Sequence, residues 1–354
     1  MKAETLLPLG KLDPGLAAPE SALDLQTVAN DARTVEALGY RGLLMEETKD
    51  DPFQVLAMAA AATHRVRLGT SVAIAFARSP FVTAMSAWTL QKLSNGRFEL
   101  GLGSQVRGHI RRRFGLPWHP PGPWMRDYVN AVRAIWASWQ SGTKLAFSSQ
   151  HYDIDLTVPL FTPAPIDYPD IPILVAAVNP YMCGVAAEVA DGVRLHPVCA
   201  PRYIRDVVAP AMTERRPEGK PFEVCLKPLI ATAADGETLR ERVEVARQRL
   251  AFYVSTPAYR RPFENAGLGD LATELSRLSK EQRWQEMGAR IGDDVLDEWV
   301  VVATYEELAA EIRSRFDGLV DRVEVSIPLE HEADSDTLAR IVADLQGEDQ
   351  DGVG

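Results

Sequence analysis

Short apolar runs alternate with stretches whose apolar residues recur at helical spacing, and the alternation persists over most of the chain. Residues 2–9 (KAETLLPL) read as a strand. Residues 22–38 carry a helical stripe that Gly39 closes, and 40–47 (YRGLLMEE) is apolar enough for a buried parallel strand. A helix over 52–64 has Pro52 in its first turn. Residues 66–75 (VRLGTSVAIA) are rich in β-formers, and 79–96 opens on Ser79 and Pro80 and stops at Gly96. A strand at 97–103 (RFELGLG) and a helix at 124–140 follow. Residues 141–172, rich in Pro, Ser, Thr and aromatics, break the rhythm and predict a small hairpin and a loop. Beyond them, strands are expected at 172–177, 192–197, 222–233 and 322–328. Helices are expected near 180–190, 201–215, 236–252, 270–288 and 304–316.

About eight strands in repeated βα units require a mainly parallel sheet. On 354 residues they predict an α/β fold, a (β/α)8 TIM barrel with insertions. The expected organisation is one barrel domain over 1–340, with inserted segments near 141–172 and 255–292, and a short acidic tail over 341–354. A doubly wound open sheet is the competitor, weakened because no GxGxxG follows the first strand.

Composition narrows the function. Lys and Arg total 38 against 49 Asp and Glu, a formal charge of −11, which argues against non-specific nucleic-acid binding. Hydrophobic residues make up 46%, so the chain can bury a large core and needs no disulfide staple. Cys183, Cys199 and Cys225 are odd in number and far apart, which fits neither a disulfide framework nor a thiolate metal site. No HExxH or DxDxDG spacing points to a metal, and no apolar run is long enough for a membrane span or a signal peptide core. A cytoplasmic protein acting on a small molecule is the expectation.

In a barrel the chemistry sits where strands end and helices begin, at the C-terminal mouth. Gly101 and Gly103 let backbone approach a ligand closely, and Ser104 and Gln105 offer hydrogen bonds beside them. Arg107, Arg111, Arg112 and Arg113 follow, as a solvated helix face or as a cationic rim. Ala177–Asn179, leading into a helix, is a second possible anion cradle. His196 ends a strand and would exchange protons near neutral pH. Glu46 and Glu47 close the second strand; side chains alternate, so one faces the barrel axis and the other does not. His64 and His109 read as structural or exposed, and His119 and His151 as loop residues able to rim a pocket. Trp88, Trp136 and Trp139 read as packing.

The run RLGTSVAIAFARSPFVTAMSAWTLQKLSNGRFELGLGSQ and the run PILVAAVNPYMCGVAAEVADGVRLHP resemble the luciferase-like flavin and deazaflavin oxidoreductases, in particular the branch that uses coenzyme F420. The resemblance covers roughly residues 1–330. It implies a barrel that pairs as a homodimer and carries a tricyclic ring over its mouth. It implies a bulge in the third strand, with a non-proline cis peptide, at Ser71 and Val72. The implied cofactor-binding set is Gly69, Thr70, Ser71, Val72, Gly103, Ser104, Gln105, Arg107, Ala176, Ala177, Val178 and Asn179. Lys49 and the arginines from 107 on are positioned for an acidic cofactor tail. Phe76, Trp118, Phe161 and Tyr181 are candidates to shape the substrate pocket. Deazaflavin-dependent sugar-phosphate dehydrogenases of the family carry Asp-His where this chain has Glu47-Thr48, and a Glu where it has Val106. The acid or base must therefore be chosen afresh, Glu47 first and His196 second. The resemblance implies hydride transfer with F420. The alternatives are an FMN-dependent monooxygenase fed by a flavin reductase, and a non-catalytic flavin-binding protein.

Overall fold

Eight parallel strands close into a barrel in the computed structural model, which describes residues 1–10, 22–327 and 332–347. The strands are β1 (Lys2–Leu6), β2 (Gly42–Met45), β3 (Arg67–Thr70), β4 (Phe98–Gly103), β5 (Ile173–Ala177), β6 (Gly192–Leu195), β7 (Glu223–Leu226) and β8 (Arg322–Glu324). Each pairs in parallel with the next, β8 returns to β1, and β3 pairs with β4 to complete the ring. A short segment, Ala73–Ile74, continues β3 and pairs with Leu102 and Gly103.

Three of the helices that follow the strands share one start signal: a polar cap, then proline. Asp51 accepts from the Phe53 N–H ahead of Pro52, Ser79 from Val82 ahead of Pro80, and Asn179 from Met182 ahead of Pro180. Proline costs nothing there because the first-turn N–H groups have no helical partner. This fixes where β2, β3 and β5 hand over to their helices, and so that part of the rim of the mouth.

The floor of the barrel is ionic. Arg194 on β6 reaches Glu4 on β1 at 2.9 Å and Glu99 on β4 at 2.5 Å. Arg322 on β8 reaches the same two carboxylates at 2.9 and 2.7 Å, and also Glu223 on β7. Glycine makes the room. A methyl on Gly42 would come within 3.0 Å of the Glu4 side chain, and one on Gly69 within 2.8 Å of Glu99. Burial alone would push the Glu99 carboxyl up; Arg194, Arg322 and Arg67 outweigh it and hold it below its ordinary range. Burial likewise works against ionised Glu223, but Arg322 and Lys2 hold that group at about 2.

Several expectations shift. The strand expected over 222–233 divides into β7 and a separate strand, Leu229–Ala233, which pairs in parallel with Val300–Thr304 outside the barrel. The latter strand replaces the start of the helix expected at 304, which runs instead over Leu308–Phe316. The hairpin expected in 141–172 is Phe147–Ser148 against Asp153–Ile154. The insertion over 255–292 is helical, with Arg260–Asn265, Gly269–Lys280 and Trp284–Gly288. Residues 341–346, expected within the tail, lie in the helix Glu332–Gln346, where Leu338, Ile341, Val342 and Leu345 are buried; 348–354 lie outside the described residues.

Removing one member of a buried ion cluster strands its partners in a low-dielectric interior, a loss of about 3–5 kcal/mol. Arg194→Met should therefore lower the urea midpoint by that equivalent. The folded carboxylates are depressed, so their stabilisation is complete above the unfolded value of ~4.3 and drains as pH falls toward the folded value. Glu223→Gln should flatten the loss of stability between pH ~4 and ~2 in urea titrations run across that range.

Candidate cofactor site at the barrel mouth

The third strand breaks its pairing at the mouth. Gly69 lies opposite Glu99 and Ala73 opposite Leu102, so three residues of this strand, 70–72, face two of β4, 100–101. That is a β-bulge, one residue too many for the ladder. The Ser71–Val72 peptide is cis. Thr70 supplies what the ladder lacks: its hydroxyl donates to the Gly101 carbonyl at 2.6 Å and accepts the Gly101 N–H at 2.9 Å. The Ser71 N–H turns to the Met45 carbonyl of β2 at 2.9 Å. The displaced backbone occupies the space of two missing side chains. A methyl on Gly101 would lie 1.9 Å from the Thr70 carbonyl oxygen, and one on Gly103 would lie 2.5 Å from the Val72 side chain.

This changes the meaning of several predicted residues. Gly69 makes room for Glu99, Thr70 is fully buried in the bulge, and Gly103 receives Val72. Ser71 and Val72 are half-buried at the mouth, as are Ser104, Gln105, Ala176 and Val178, whereas Ala177 is buried. Gln105 adopts φ +53°, uncommon for a residue with a side chain, and its side-chain Oε1 accepts the Val106 N–H at 2.8 Å. Asn179 is exposed, with its side-chain oxygen committed to the Met182 N–H at 2.9 Å. Tyr203 donates to the Val178 carbonyl at 3.1 Å and fixes the same turn.

The alternation expected at 46–47 holds, with Glu46 on the barrel side. Glu46 meets Lys227, beyond β7, at 3.2 Å, and Lys227 meets Glu324 of β8 at 3.3 Å. Glu47 turns outward. Both its oxygens accept from Arg78, at 2.5 and 2.6 Å, and one also accepts the Ile74 N–H at 2.7 Å. Arg78 also holds Asp51 at 3.1 Å. Glu47 is thus engaged in anchoring the strand just past the bulge. Reading the sequence missed Arg78 and Lys227. The signal for Arg78 was its spacing beyond Ile74 in the chain, but nothing local says which carboxylate it meets.

His196, half-buried past β6, stacks on Tyr259 (ring centroids 4.1 Å apart) and meets the edge of Tyr253 at 4.8 Å. Both tyrosines come from the helical insertion and its approach. On the opposite side Phe76 stacks on Trp124 at 3.7 Å, with Trp118 edge-on at 6.4 Å. The other two pocket candidates do not join them: Tyr181 packs against Gly122 and under Arg215, and Phe161 is exposed. Arg107, Arg111 and Arg112 are exposed on the short helix Arg107–Arg112, and Arg113 donates to the Thr48 carbonyl, tying the loops after β4 and β2 together. Among the described residues no cluster of His, Cys, Asp or Glu is suited to a metal ion, and no helix is long and apolar enough to cross a membrane.

The small residues on one half of the mouth fit a flat heterocycle. Val72 and Ser71 offer a raised face, Gly103 and Ala176 flank it without bulk, and the start of the helix Pro180–Val189 lies at its margin. The comparisons agree with this architecture. The model of the luciferase-like monooxygenase family matches residues 7–322, and the chain belongs to that family. The uncharacterized protein Rv1360 of Mycobacterium tuberculosis is 42% identical over 303 residues, covering 84% of this chain and 89% of the relative. A second protein of that organism, Rv3520c, provisionally named a coenzyme F420-dependent oxidoreductase, is 27% identical over 327 residues, covering 84% and 88%. Among solved structures, the coenzyme F420-dependent tetrahydromethanopterin reductase of Methanopyrus kandleri superposes with a TM-score of 0.72 at 17% identity, covering 98% of both chains.

Thr70→Val keeps the shape and removes both hydrogen bonds to Gly101, leaving that buried N–H and carbonyl unpaired. The expected loss is about 1–3 kcal/mol in chemical denaturation. Gly101→Ala has no room at all and should abolish soluble folded protein. Gly108→Ala, with nothing within 4 Å of the added methyl, should be neutral.

Proposed function

We propose that this luciferase-like oxidoreductase transfers a hydride between coenzyme F420 and a small organic substrate at the barrel mouth. The observation that carries the reading is the bulge at 70–72: a raised, half-exposed face, held rigidly from behind, beside a wall built of glycine and alanine. A bound deazaflavin would supply the hydride-carrying carbon. The chain's own residues do the rest. Ser71 and Val72 back the ring. Ser104 and Gln105 border it. Backbone groups of 177–179, at the start of the helix capped by Asn179, are suited to a phosphate through N–H groups and the helix dipole. Lys49, Arg107, Arg111 and Arg112 form a cationic rim suited to an acidic tail, in a chain that is otherwise acidic. His196, in its aromatic setting, borders the substrate side. Glu47 positions the bulge by way of Ile74 and Arg78.

The name of Rv3520c supports F420, and the family also takes in monooxygenases. If the cofactor is FMN, O2 is the second substrate and a separate flavin reductase is the partner. We further propose that a second copy of the chain covers the outer faces of the helices Pro52–Ala62 and Pro80–Leu93. There Met58, Val82, Met85 and Leu93 are exposed. Sedimentation should then give a dimer, and Met85→Glu a monomer.

Equilibrium fluorescence titration of the purified protein with F420 and with FMN tests the cofactor. The expected result is tighter binding of F420. Arg107→Glu combined with Arg111→Glu should weaken F420 by about tenfold at low salt, on the order of 0.5–1 kcal/mol for each exposed contact. The same double variant should leave FMN, which lacks the acidic tail, nearly unchanged. Preference for FMN would favour the monooxygenase reading, and tight F420 binding without turnover on any substrate would favour a carrier.

A further inference from the structure

One titratable cluster lies apart from the barrel interior. The Nδ1 of His151, in the hairpin of the 141–172 excursion, lies 2.7 Å from the Asp127 carboxylate on the helix Pro121–Ser141. The same oxygen lies 3.3 Å from the His151 backbone N–H. The His151 side chain is only 5% exposed, so its ring is held in one orientation. A carboxylate only accepts, so Nδ1 carries hydrogen. His119, exposed on the loop before that helix, stands edge-on to His151 with ring centroids 5.4 Å apart.

The cluster adjoins the mouth. The Trp124 ring lies 5.0 Å from His119 and 6.1 Å from His151, and it stacks face to face on Phe76. Phe76 is two residues past Ile74, at the end of the strand that carries the bulge. The remaining titratable neighbour is Tyr152, whose hydroxyl accepts from the Trp124 indole N–H at 2.7 Å. Tyr152 in turn packs edge-on to Tyr128.

We propose that His119, backed by the His151–Asp127 pair, is the proton-transfer station of the site, serving substrates whose reduction places negative charge on an atom beside the carbon that receives hydride, as in a carbonyl or a conjugated carbonyl. The inference rests on the hydride-transfer reading above. The balance is simple. Reduced deazaflavin gives two electrons and one hydrogen to carbon and is oxidised. The π pair of the substrate moves to the neighbouring atom. The N–H bond of the His119 imidazolium breaks as the new O–H or C–H bond forms. The neutral imidazole regains its proton from water at its exposed edge. His119 is the group that meets substrate; His151 and Asp127 are positioning residues.

A purely structural pair would only pin the hairpin to the helix, and the experiment separates the two roles. His119→Gln, His151→Gln and Asp127→Asn are compared with the parent for melting temperature, F420 affinity, and the pH profile of reduced F420 oxidation by cyclohexenone. The histidine rings are labelled with 13C and 15N and followed by NMR in the parent protein carrying reduced F420 as cyclohexenone is added. The expected results are an F420 affinity within about twofold of the parent, and a rate loss of about 10²-fold for His119→Gln with its pH dependence flattened. A smaller loss in the other two variants and a shift of the His119 ring signals on adding the enone complete the pattern. Variants that melt earlier but keep the parent pH profile, ring signals that the enone leaves unmoved, or no oxidation of bound reduced F420 by the enone would each overturn the inference. Failure of the parent to bind F420 would remove the cofactor reading, and this inference with it.

Discussion

The mouth of this barrel depends on a threonine standing in for a missing rung. Between β3 and β4 three residues face two, and a buried backbone N–H and carbonyl at Gly101 would be left unpaired. The Thr70 hydroxyl satisfies both at once. With those groups paired, the chain can lift Ser71 and Val72 out of the ladder without leaving an uncompensated polar gap in the wall. Gly101 and Gly103 are the complement: the space their absent side chains leave is filled by the Thr70 carbonyl and the Val72 side chain. Two further ties hold the raised segment at its ends, the Ser71 N–H on Met45 and the Ile74 N–H on Glu47. A feature so over-determined presents one rigid surface, which suits a group that must be held within a few tenths of an ångström of its reaction partner.

Below that surface charged side chains fill the barrel in two layers. Positions facing inward at the floor carry Glu4, Glu99, Arg194 and Arg322, and near the top Glu46, Lys227 and Glu324. Opposite charges meet across the barrel in both layers: the two arginines of the floor match its two glutamates, and Lys227 is shared by the two glutamates above. A charged floor fixes which strands lie opposite one another, because a slipped register would separate a guanidinium from its carboxylates in a medium that cannot solvate either.

Much of this was legible in the chain. The cap-then-proline starts at Asp51, Ser79 and Asn179 are local, and each forms as local chemistry dictates. The barrel itself followed from counting βα units. What was not legible depends on partners far apart in sequence. Glycines at 69, 101 and 103 look alike on paper, and only the structure shows that their neighbours are Glu99, Thr70 and Val72. Glu47 looked like an available base because Arg78 lies 31 residues away and reaches it only through the fold. The run VVVAT at 300–304 was overlooked since its pairing partner, Leu229–Ala233, lies some seventy residues earlier and outside the barrel. The charges within β1, β4, β6 and β8 were visible at alternating positions. They went unread as a network because strand-like runs were judged by their apolar residues.

The most direct test of the central claim is a crystal structure of the protein with oxidised F420 bound. The account places the tricyclic ring in van der Waals contact with Val72 and Ser71, at about 3.5–4.5 Å between heavy atoms, with the Thr70 hydroxyl still bonded to Gly101. A ring seated away from residues 71–72, or a third strand drawn back into continuous pairing with β4, would contradict it.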